Sequence, residues 1–326
     1  MPTRRSFLAG SSVLAASALF APAVVRAQEP VAFWGPGSAP SLVVAQAIAG
    51  GDLADVVPGA AFRVWKTPDE LRAGLSSGAI PASVVPSYVA ANLYNRGIGL
   101  RLLNVNTTGL LYVLSTDAGL ADVAGLKGTT IAVPFRNDMP DYVLAALLAK
   151  AGLAAGADVT LEYTATPAEA VQTLLAGRVG AVLITEPAAS AAMARAAQAG
   201  KPLRRAIDVS QAWAAVAGKP GMPQAGLALS DALAERLGAE GIDRVQAAME
   251  RAALAVLADP EAAALLVADE FGLPAPVIAK SIPYSNLVAN RASASKPQLV
   301  AFFEVLATAN PAIVGGKLPD DAFYAL

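Results

Sequence analysis

Two charged side chains stand where predicted strands end, at positions that suit contact with a ligand. Glu186 closes the apolar run 179–185, and Arg136 comes two residues after the apolar run 129–134. A carboxylate in such a position accepts strong, charge-assisted hydrogen bonds from an amine, an amide or a ring N–H. A guanidinium binds a carboxylate or sulfonate through two parallel hydrogen bonds. One candidate of each sign leaves the sign of the ligand's charge open.

Each of these residues also has a purely structural interpretation. Glu186 suits a solvated turn, or a cap for the helix that starts at Ala188. Arg136 suits an ion pair with Asp138 or Asp141 across its own turn. Asp138 is a candidate ligand contact, and it also suits the N-terminal cap of the following helix.

Aromatic and small polar side chains occupy comparable positions. Trp34, Tyr88 and Phe135 each fall at or just beyond the end of a predicted strand, where they predict apolar walls for a small organic ligand. Packing inside the core is the alternative for each ring. The remaining candidates lie near strand ends or where the chain crosses between halves: Gly35, Ser38, Ala39, Pro86, Ser87, Asn106, Thr107, Thr108 and Gln224.

The turn 35–40 leads into an apolar helical pattern. Ser38 or Ser41 is expected to cap this helix, and Pro40 suits its first turn. A helix start aimed at a cleft offers free backbone N–H groups and a positive dipole end, which suit a carboxylate, sulfonate or carbonyl group. A plain strand-to-helix turn is the alternative.

The elements that position these residues alternate between strands and helices. Between positions 125 and 187 the pattern is strand, helix, strand, helix, strand, which predicts a small parallel sheet. Open sheets of this kind bind ligands at the carboxyl ends of their strands. After position 230 the pattern is helical, with a first break between 237 and 240, and the tail 318–324 is expected to pack on the first half.

The run from Leu126 through Asp158 to the segment 174–178 and Glu186-Pro187 resembles the second lobe of periplasmic substrate-binding proteins of the nitrate/sulfonate/taurine type. These are the solute receptors of ABC importers. The resemblance extends upstream to the turn 35–40. It implies an α/β, two-lobe type II periplasmic binding fold with the ligand cleft between the lobes. Lobe 1 is expected to comprise 28–115 and 226–326, and lobe 2 to comprise 116–225.

The resemblance also implies a mechanism and partners. A small-molecule solute that contacts both lobes stabilises their closed arrangement, and an ABC permease in the inner membrane recognises that form. The expected ligand is a small organic molecule, anionic or zwitterionic, with a polar head and an apolar body. We expect a monomer without a cofactor or metal.

The first 27 residues predict an export signal. Arg4 and Arg5 form a twin-arginine pair, an apolar stretch follows, and small residues at Val25 and Ala27 suit cleavage after Ala27. A membrane anchor is the alternative. Cleavage leaves 299 of the 326 residues and removes three arginines, which shifts the formal net charge of −2 to −5. That charge argues against nucleic acid or an anionic membrane surface as a partner, and the protein is expected in the periplasm.

The sequence also excludes several classes of chemistry. It has no histidine and no cysteine, which removes disulfides, zinc–cysteine sites and histidine-based nucleophilic catalysis. Neither a dinucleotide-binding nor a nucleotide-binding glycine motif is present. We therefore expect no enzyme. Two alternatives stay open: a receptor that presents its ligand to a signalling partner, and an enzyme of the pyrimidine-precursor synthase type on the same fold.

Overall fold

The computed structural model describes residues 30–326, so the predicted export signal lies outside the described residues. The strands are β1 (Ala32–Gly35), β2 (Ala61–Val64), β3 (Ala82–Pro86), β4 (Leu100–Leu102), β5 (Asn104–Thr107), β6 (Leu111–Ser115), β7 (Thr130–Pro134), β8 (Thr160–Thr164), β9 (Ala181–Thr185), β10 (Arg204–Asp208), β11 (Ala225–Ser230) and β12 (Leu287–Arg291). The helices are α1 (Pro40–Ala49), α2 (Pro68–Ser77), α3 (Ser87–Asn95), α4 (Met139–Lys150), α5 (Pro167–Leu175), α6 (Ala188–Gln198), α7 (Val209–Ala212), α8 (Ala214–Ala217), α9 (Asp231–Ala258), α10 (Pro260–Leu265), α11 (Ala268–Phe271), α12 (Ala275–Ser281) and α13 (Ala292–Ala309). Short 3-10 turns span Ala124–Leu126, Ile282–Tyr284, Pro311–Val314 and Asp321–Tyr324.

The strands form two sheets. The first has seven strands in the order β12-β5-β11-β3-β1-β2, with β4 also paired to β11. The second has five strands in the order β10-β6-β9-β7-β8. Within the second sheet β7, β8 and β9 are parallel, with α4 and α5 as the connecting helices. The strand–helix–strand pattern predicted for 125–187 is therefore confirmed.

Both ends of the described chain build the first sheet, and its middle builds the second. We call the two halves lobe 1 and lobe 2. The structure differs from the predicted boundary at position 115, because β6 pairs with β9 and β10 in the second sheet. Every residue of β6 is buried, as expected for a strand with neighbours on both sides. The first crossing between the lobes is therefore at 108–110, and the chain returns to the first sheet at Ala225.

The sequence pattern predicted only helices after position 230, but the structure also has a strand there. Residues 287–291 form β12, which pairs antiparallel with β5 at the edge of the first sheet. The predicted break near position 238 is confirmed, because Gly238 has a φ of 64° inside α9. This left-handed conformation suits glycine, which has no Cβ to clash. None of the helices in 30–326 combines the length and apolarity needed to cross a membrane.

The C-terminal tail packs on lobe 1. Phe323 is fully buried, and its ring centroid lies 5.3 Å from that of Tyr94 on α3 and 6.4 Å from that of Phe303 on α13. The hydroxyl of Tyr94 donates a 2.5 Å hydrogen bond to Asp320. The tail thus connects α3 to α13, and the first turn of α3 carries the candidate site residues Ser87 and Tyr88.

Replacing Phe323 with alanine should lower the free energy of unfolding by about 3–5 kcal/mol, because a fully buried ring leaves a cavity. Urea unfolding followed by circular dichroism measures the change. Leu265→Ala is the matched control, because its side chain is 71% exposed and should shift stability by no more than ~0.5 kcal/mol. A tail that does not contribute to the core would give equal, small changes for both variants.

Candidate functional site

The turn between β7 and α4 has an unusual backbone. Phe135 and Asn137 adopt positive φ angles of 63° and 60°, a region that a bulky residue such as phenylalanine rarely occupies. Strain of this kind persists only where surrounding contacts fix it, and it clusters at binding sites. Here the Asn137 N–H donates to Asp141, and the Phe135 N–H donates to the carbonyl of Thr164. The turn consequently presents Phe135 to solvent with 45% of its surface exposed.

Asp138 connects this turn to lobe 1. It is the N-cap of α4, as predicted, and accepts a 2.8 Å hydrogen bond from the N–H of Met139. The same oxygen accepts a 2.6 Å hydrogen bond from the hydroxyl of Tyr88 at the start of α3. Burial and the neighbouring Asp138 carboxylate raise the pKa of Tyr88 well above its ordinary value. The phenol therefore stays protonated and donates across the gap between the lobes.

Arg136 is exposed and stacks on an aromatic ring. Its guanidinium lies 4.9 Å from the ring centroid of Tyr163, which donates a hydrogen bond to Asp141. The ion pair with Asp138 or Asp141 that the sequence offered as an alternative is not formed. Both carboxylates are engaged by neutral donors, so within residues 30–326 Arg136 has no acidic partner.

The turn 135–138 and Tyr88 line a cavity of about 560 Å³ between the two lobes, a size typical of small-molecule sites. Lobe 2 contributes the turn 135–138. Lobe 1 contributes Tyr88 and Asn92 of α3, Arg96 directly after α3, Arg72 of α2, and the segment 310–313. Three guanidinium groups, two aromatic rings and several amides thus surround a space with a single carboxylate, that of Asp138. This arrangement suits a small molecule with an anionic group and an apolar body.

Glu186 does not offer its carboxylate to the cavity. The side chain is fully buried, and one oxygen pairs with the guanidinium of Arg205 while the other accepts a 3.0 Å hydrogen bond from the N–H of Ser190. The helix-cap interpretation therefore describes its contacts, and the ligand contact proposed from sequence has no geometric support. Burial raises the pKa of Glu186, an effect that Arg205 opposes.

The start of α1 also differs from the expectation. The N-cap is Ala39, and neither Ser38 nor Ser41 caps the helix through its side chain. Instead the Ser41 hydroxyl donates a 2.7 Å hydrogen bond to the carbonyl of Pro36. It also packs closely on Gly35, where an added Cβ would lie 2.3 Å from its oxygen. The N–H groups of Ser41 and Leu42 donate to the carbonyls of Ser38 and Ala39. These N–H groups are therefore already used within the turn.

Trp34 lies elsewhere. It lines a separate cavity of about 930 Å³ together with residues of loops and helix ends around the first sheet, and Arg63 stacks on its ring at 5.7 Å. Although this cavity is larger, its lining comes from lobe 1 alone. Tyr88 and Phe135 thus line the same cavity, whereas Trp34 lines a different one.

Five further candidates surround the crossings between the lobes. The Ser87 hydroxyl donates to the carbonyl of Pro223, and Thr107 donates to the carbonyl of Ser285. The carbonyl of Thr108 accepts from the N–H of Met222. Pro86 ends β3 and pairs with Ala225, and Gln224 accepts a 2.7 Å hydrogen bond from the N–H of Leu110. These side chains and carbonyls hold the crossings in place.

Asn106 is the exception among the polar candidates. It is fully buried on β5, and neither its amide oxygen nor its amide nitrogen has a hydrogen-bond partner within residues 30–326. Asn104, two residues earlier on the same face, is fully paired: it donates to Gln246 and accepts from the N–H of Leu227. A buried amide without partners is rare in folded proteins.

Sequence reasoning missed several residues of the site and its surroundings. Arg72 and Arg96 lie within helices α2 and α3 or at their ends, so no strand-end rule selects them. The sequence pattern assigned no role to Arg205; the need of a buried carboxylate for a cation is the signal that could have identified it. The part of the chain that the structure describes contains no group of side chains suited to hold a metal ion.

Comparisons with known proteins agree with this architecture. The sequence model of the NMT1-like family matches residues 68–268. No curated protein matches the chain. Among solved structures, an ABC transporter from Parabacteroides distasonis is 22% identical with a TM-score of 0.73, over 90% of this chain and 98% of that chain. The periplasmic aliphatic sulphonate binding protein SsuA from Escherichia coli is 20% identical with a TM-score of 0.67, over 90% and 92%.

A third structure is more distant. The periplasmic nitrate-binding protein NrtA from Synechocystis PCC 6803 is 15% identical with a TM-score of 0.60, over 77% of this chain and 69% of that chain. At such identities the likeness shows the fold. The predicted resemblance to periplasmic binding proteins and the predicted α/β periplasmic binding fold class are confirmed.

The contrast between Asn106 and Asn104 gives a direct test of the unpaired amide. Asn106→Leu should leave the free energy of unfolding of the unliganded protein unchanged or raise it, because no hydrogen bond is lost. Asn104→Leu should lower it by about 1–3 kcal/mol, because Gln246 and a backbone N–H lose their partner. Urea unfolding of both variants measures the difference. An equal loss of stability in the two variants would mean that Asn106 is paired in the folded protein.

Proposed function

The chain belongs to the NMT1-like family, and from that premise we propose that it is the exported solute-binding component of an ABC importer. The observation that carries the proposal is a cavity of about 560 Å³ lined by both lobes. A ligand held there contacts helix α3 of lobe 1 and the turn 135–138 of lobe 2 at the same time. It therefore stabilises the closed arrangement relative to the open one, which is the signal that a permease reads.

The proposed ligand is a small organic molecule with an anionic or zwitterionic head. Arg136 is exposed, without an acidic partner in the described residues, and directed to the same cavity as Arg96. Phe135 and Tyr88 provide apolar surface for the body of the ligand. The similarity to a sulphonate-binding and a nitrate-binding protein supports an anion as the cargo.

We propose binding rather than catalysis at this cavity. Asp138 supplies the carboxylate that lines the cavity, and it accepts hydrogen bonds from the N–H of Met139 and from the hydroxyl of Tyr88. This carboxylate is therefore held by the protein's own donors. The periplasm is the proposed location, because the sequence begins with a twin-arginine pattern and the fold is that of periplasmic binding proteins.

A thermal-shift screen of residues 28–326 tests the proposal. The compounds are small alkyl and aryl sulfonates, carboxylates and amino acids, with nitrate and bicarbonate as inorganic anions. A ligand present at 100 times its Kd should stabilise the protein by about 2.7 kcal/mol. We expect an organic anion or zwitterion to raise the melting temperature. A response to the inorganic anions alone would contradict the organic ligand, and no response to any compound would contradict solute binding.

Arg136→Ala should weaken binding of the identified ligand by roughly 10- to 100-fold, because a charge-assisted hydrogen bond is lost. Arg63→Ala is the matched control: it is also an exposed arginine stacked on an aromatic ring, but it lies at the other cavity. Isothermal titration calorimetry measures both affinities. Equal affinities in the two variants would remove Arg136 from the site.

A further inference from the structure

Besides the Asn310–Tyr142 hydrogen bond and the ring contact between Trp213 and Phe302, a further contact joins the lobes. Tyr284 belongs to lobe 1, in the 3-10 turn between α12 and β12. The guanidinium of Arg205, on β10 of lobe 2, lies 3.5 Å from the centroid of the Tyr284 ring. At this distance the planar cation stacks on the ring face, an arrangement that is attractive electrostatically and by dispersion.

Lobe 2 also holds the backbone of the same residue. The hydroxyl of Tyr112, on β6, donates a 2.7 Å hydrogen bond to the carbonyl of Tyr284, and the two rings meet edge to face at 6.4 Å. Burial raises the pKa of Tyr112, so this hydroxyl stays protonated. Tyr284 is thus bound through its ring and through its carbonyl, although 43% of its surface remains exposed.

Glu186 fixes the position of Arg205. One carboxylate oxygen pairs with the guanidinium, whose Nε lies 2.8 Å away, and the guanidinium also donates a 2.8 Å hydrogen bond to the hydroxyl of Ser190. These contacts occupy the edge of the planar group and leave its face free for Tyr284. Glu186 is therefore a positioning residue that acts through Arg205.

The Arg205–Tyr284 contact lies on the opposite side of the second sheet from the Tyr88–Asp138 hydrogen bond. In the second sheet β10 lies on one side of the β6–β9 pair and β7 lies on the other. The Tyr88–Asp138 hydrogen bond follows β7, and the Arg205–Tyr284 contact starts from β10. Both contacts are made by side chains of the protein itself.

We propose that Arg205, held by Glu186, closes the lobes onto Tyr284 before any ligand arrives, and so sets how often the cavity opens. The inference rests on the proposed hinge closure and deepens it. A contact that favours the closed arrangement lowers the share of closing free energy that the ligand must supply. It therefore tightens binding, while it slows the entry of ligand through the open form.

The test measures the distance between the lobes without ligand. Because the protein has no cysteine, Lys66→Cys and Ala165→Cys introduce the only two labelling sites for spin labels. Both positions are exposed and follow the edge strands β2 and β8 of the two sheets. Pulsed electron paramagnetic resonance then gives the distance distribution for the wild-type background and each variant.

Tyr284→Ala should add a population at longer distance, with the closed-to-open ratio reduced about fivefold, because the stacking is lost. Tyr284→Phe is the matched control, because it keeps the ring and the carbonyl, and its distribution should equal that of the parent. Glu186→Gln should also shift the distribution toward the open form, since the amide holds the guanidinium less firmly. A distribution for Tyr284→Ala identical to that of Tyr284→Phe would overturn the proposal.

Failure of this inference and failure of the proposed function give different results. The distances are recorded on unliganded protein, whereas solute binding is read from the thermal-shift screen. An unchanged distance in Tyr284→Ala, in a protein that still binds its ligand, refutes the closing contact alone. A longer distance in a protein that binds no compound supports the closing contact and contradicts solute binding.

Discussion

The hydrogen bonds between the two chain crossings are the constraint on which the rest of the structure depends. The N–H of Met222 on the returning crossing donates to the carbonyl of Thr108 on the outgoing one, at 2.6 Å. The buried amide of Gln224 accepts from the N–H of Leu110 and approaches the sulfur of Met139 in α4. These bonds hold the two connections side by side between the lobes. The cavity and the Tyr284 contact are consequences of that placement.

Burial decides which charged groups are available to a solute. A carboxylate that folding removes from water needs a cation and further donors, and Glu186 has both in Arg205 and Ser190. It is thereby committed to the protein's own architecture. Arg136 remains exposed, stacked on Tyr163, and keeps its N–H donors free for an anion. The cavity accordingly carries excess positive charge in a protein whose formal net charge is negative.

The sequence predicted more of the fold than of the site, for physical reasons. Strand and helix periods and the capping pattern at Asp138 are local, so the parallel core of lobe 2 and that cap are confirmed. Sheet membership is not local: β6 pairs in the second sheet through contacts distant in sequence, and β12 is a short edge strand between helices. The direction of a ring depends on strand parity and packing, which is why Phe135 reaches the cavity while Trp34 faces another. Unpaired Asn106 and paired Asn104 are indistinguishable by residue type.

The central claim is that one solute is held by both lobes at once. A crystal structure of residues 28–326 with a ligand found by thermal shift tests it most directly. The account predicts the ligand's anionic group within hydrogen-bond distance of Arg136 of lobe 2, and its body against Tyr88 of lobe 1. A ligand that contacts residues of a single lobe, for example at the cavity beside Trp34, would contradict it.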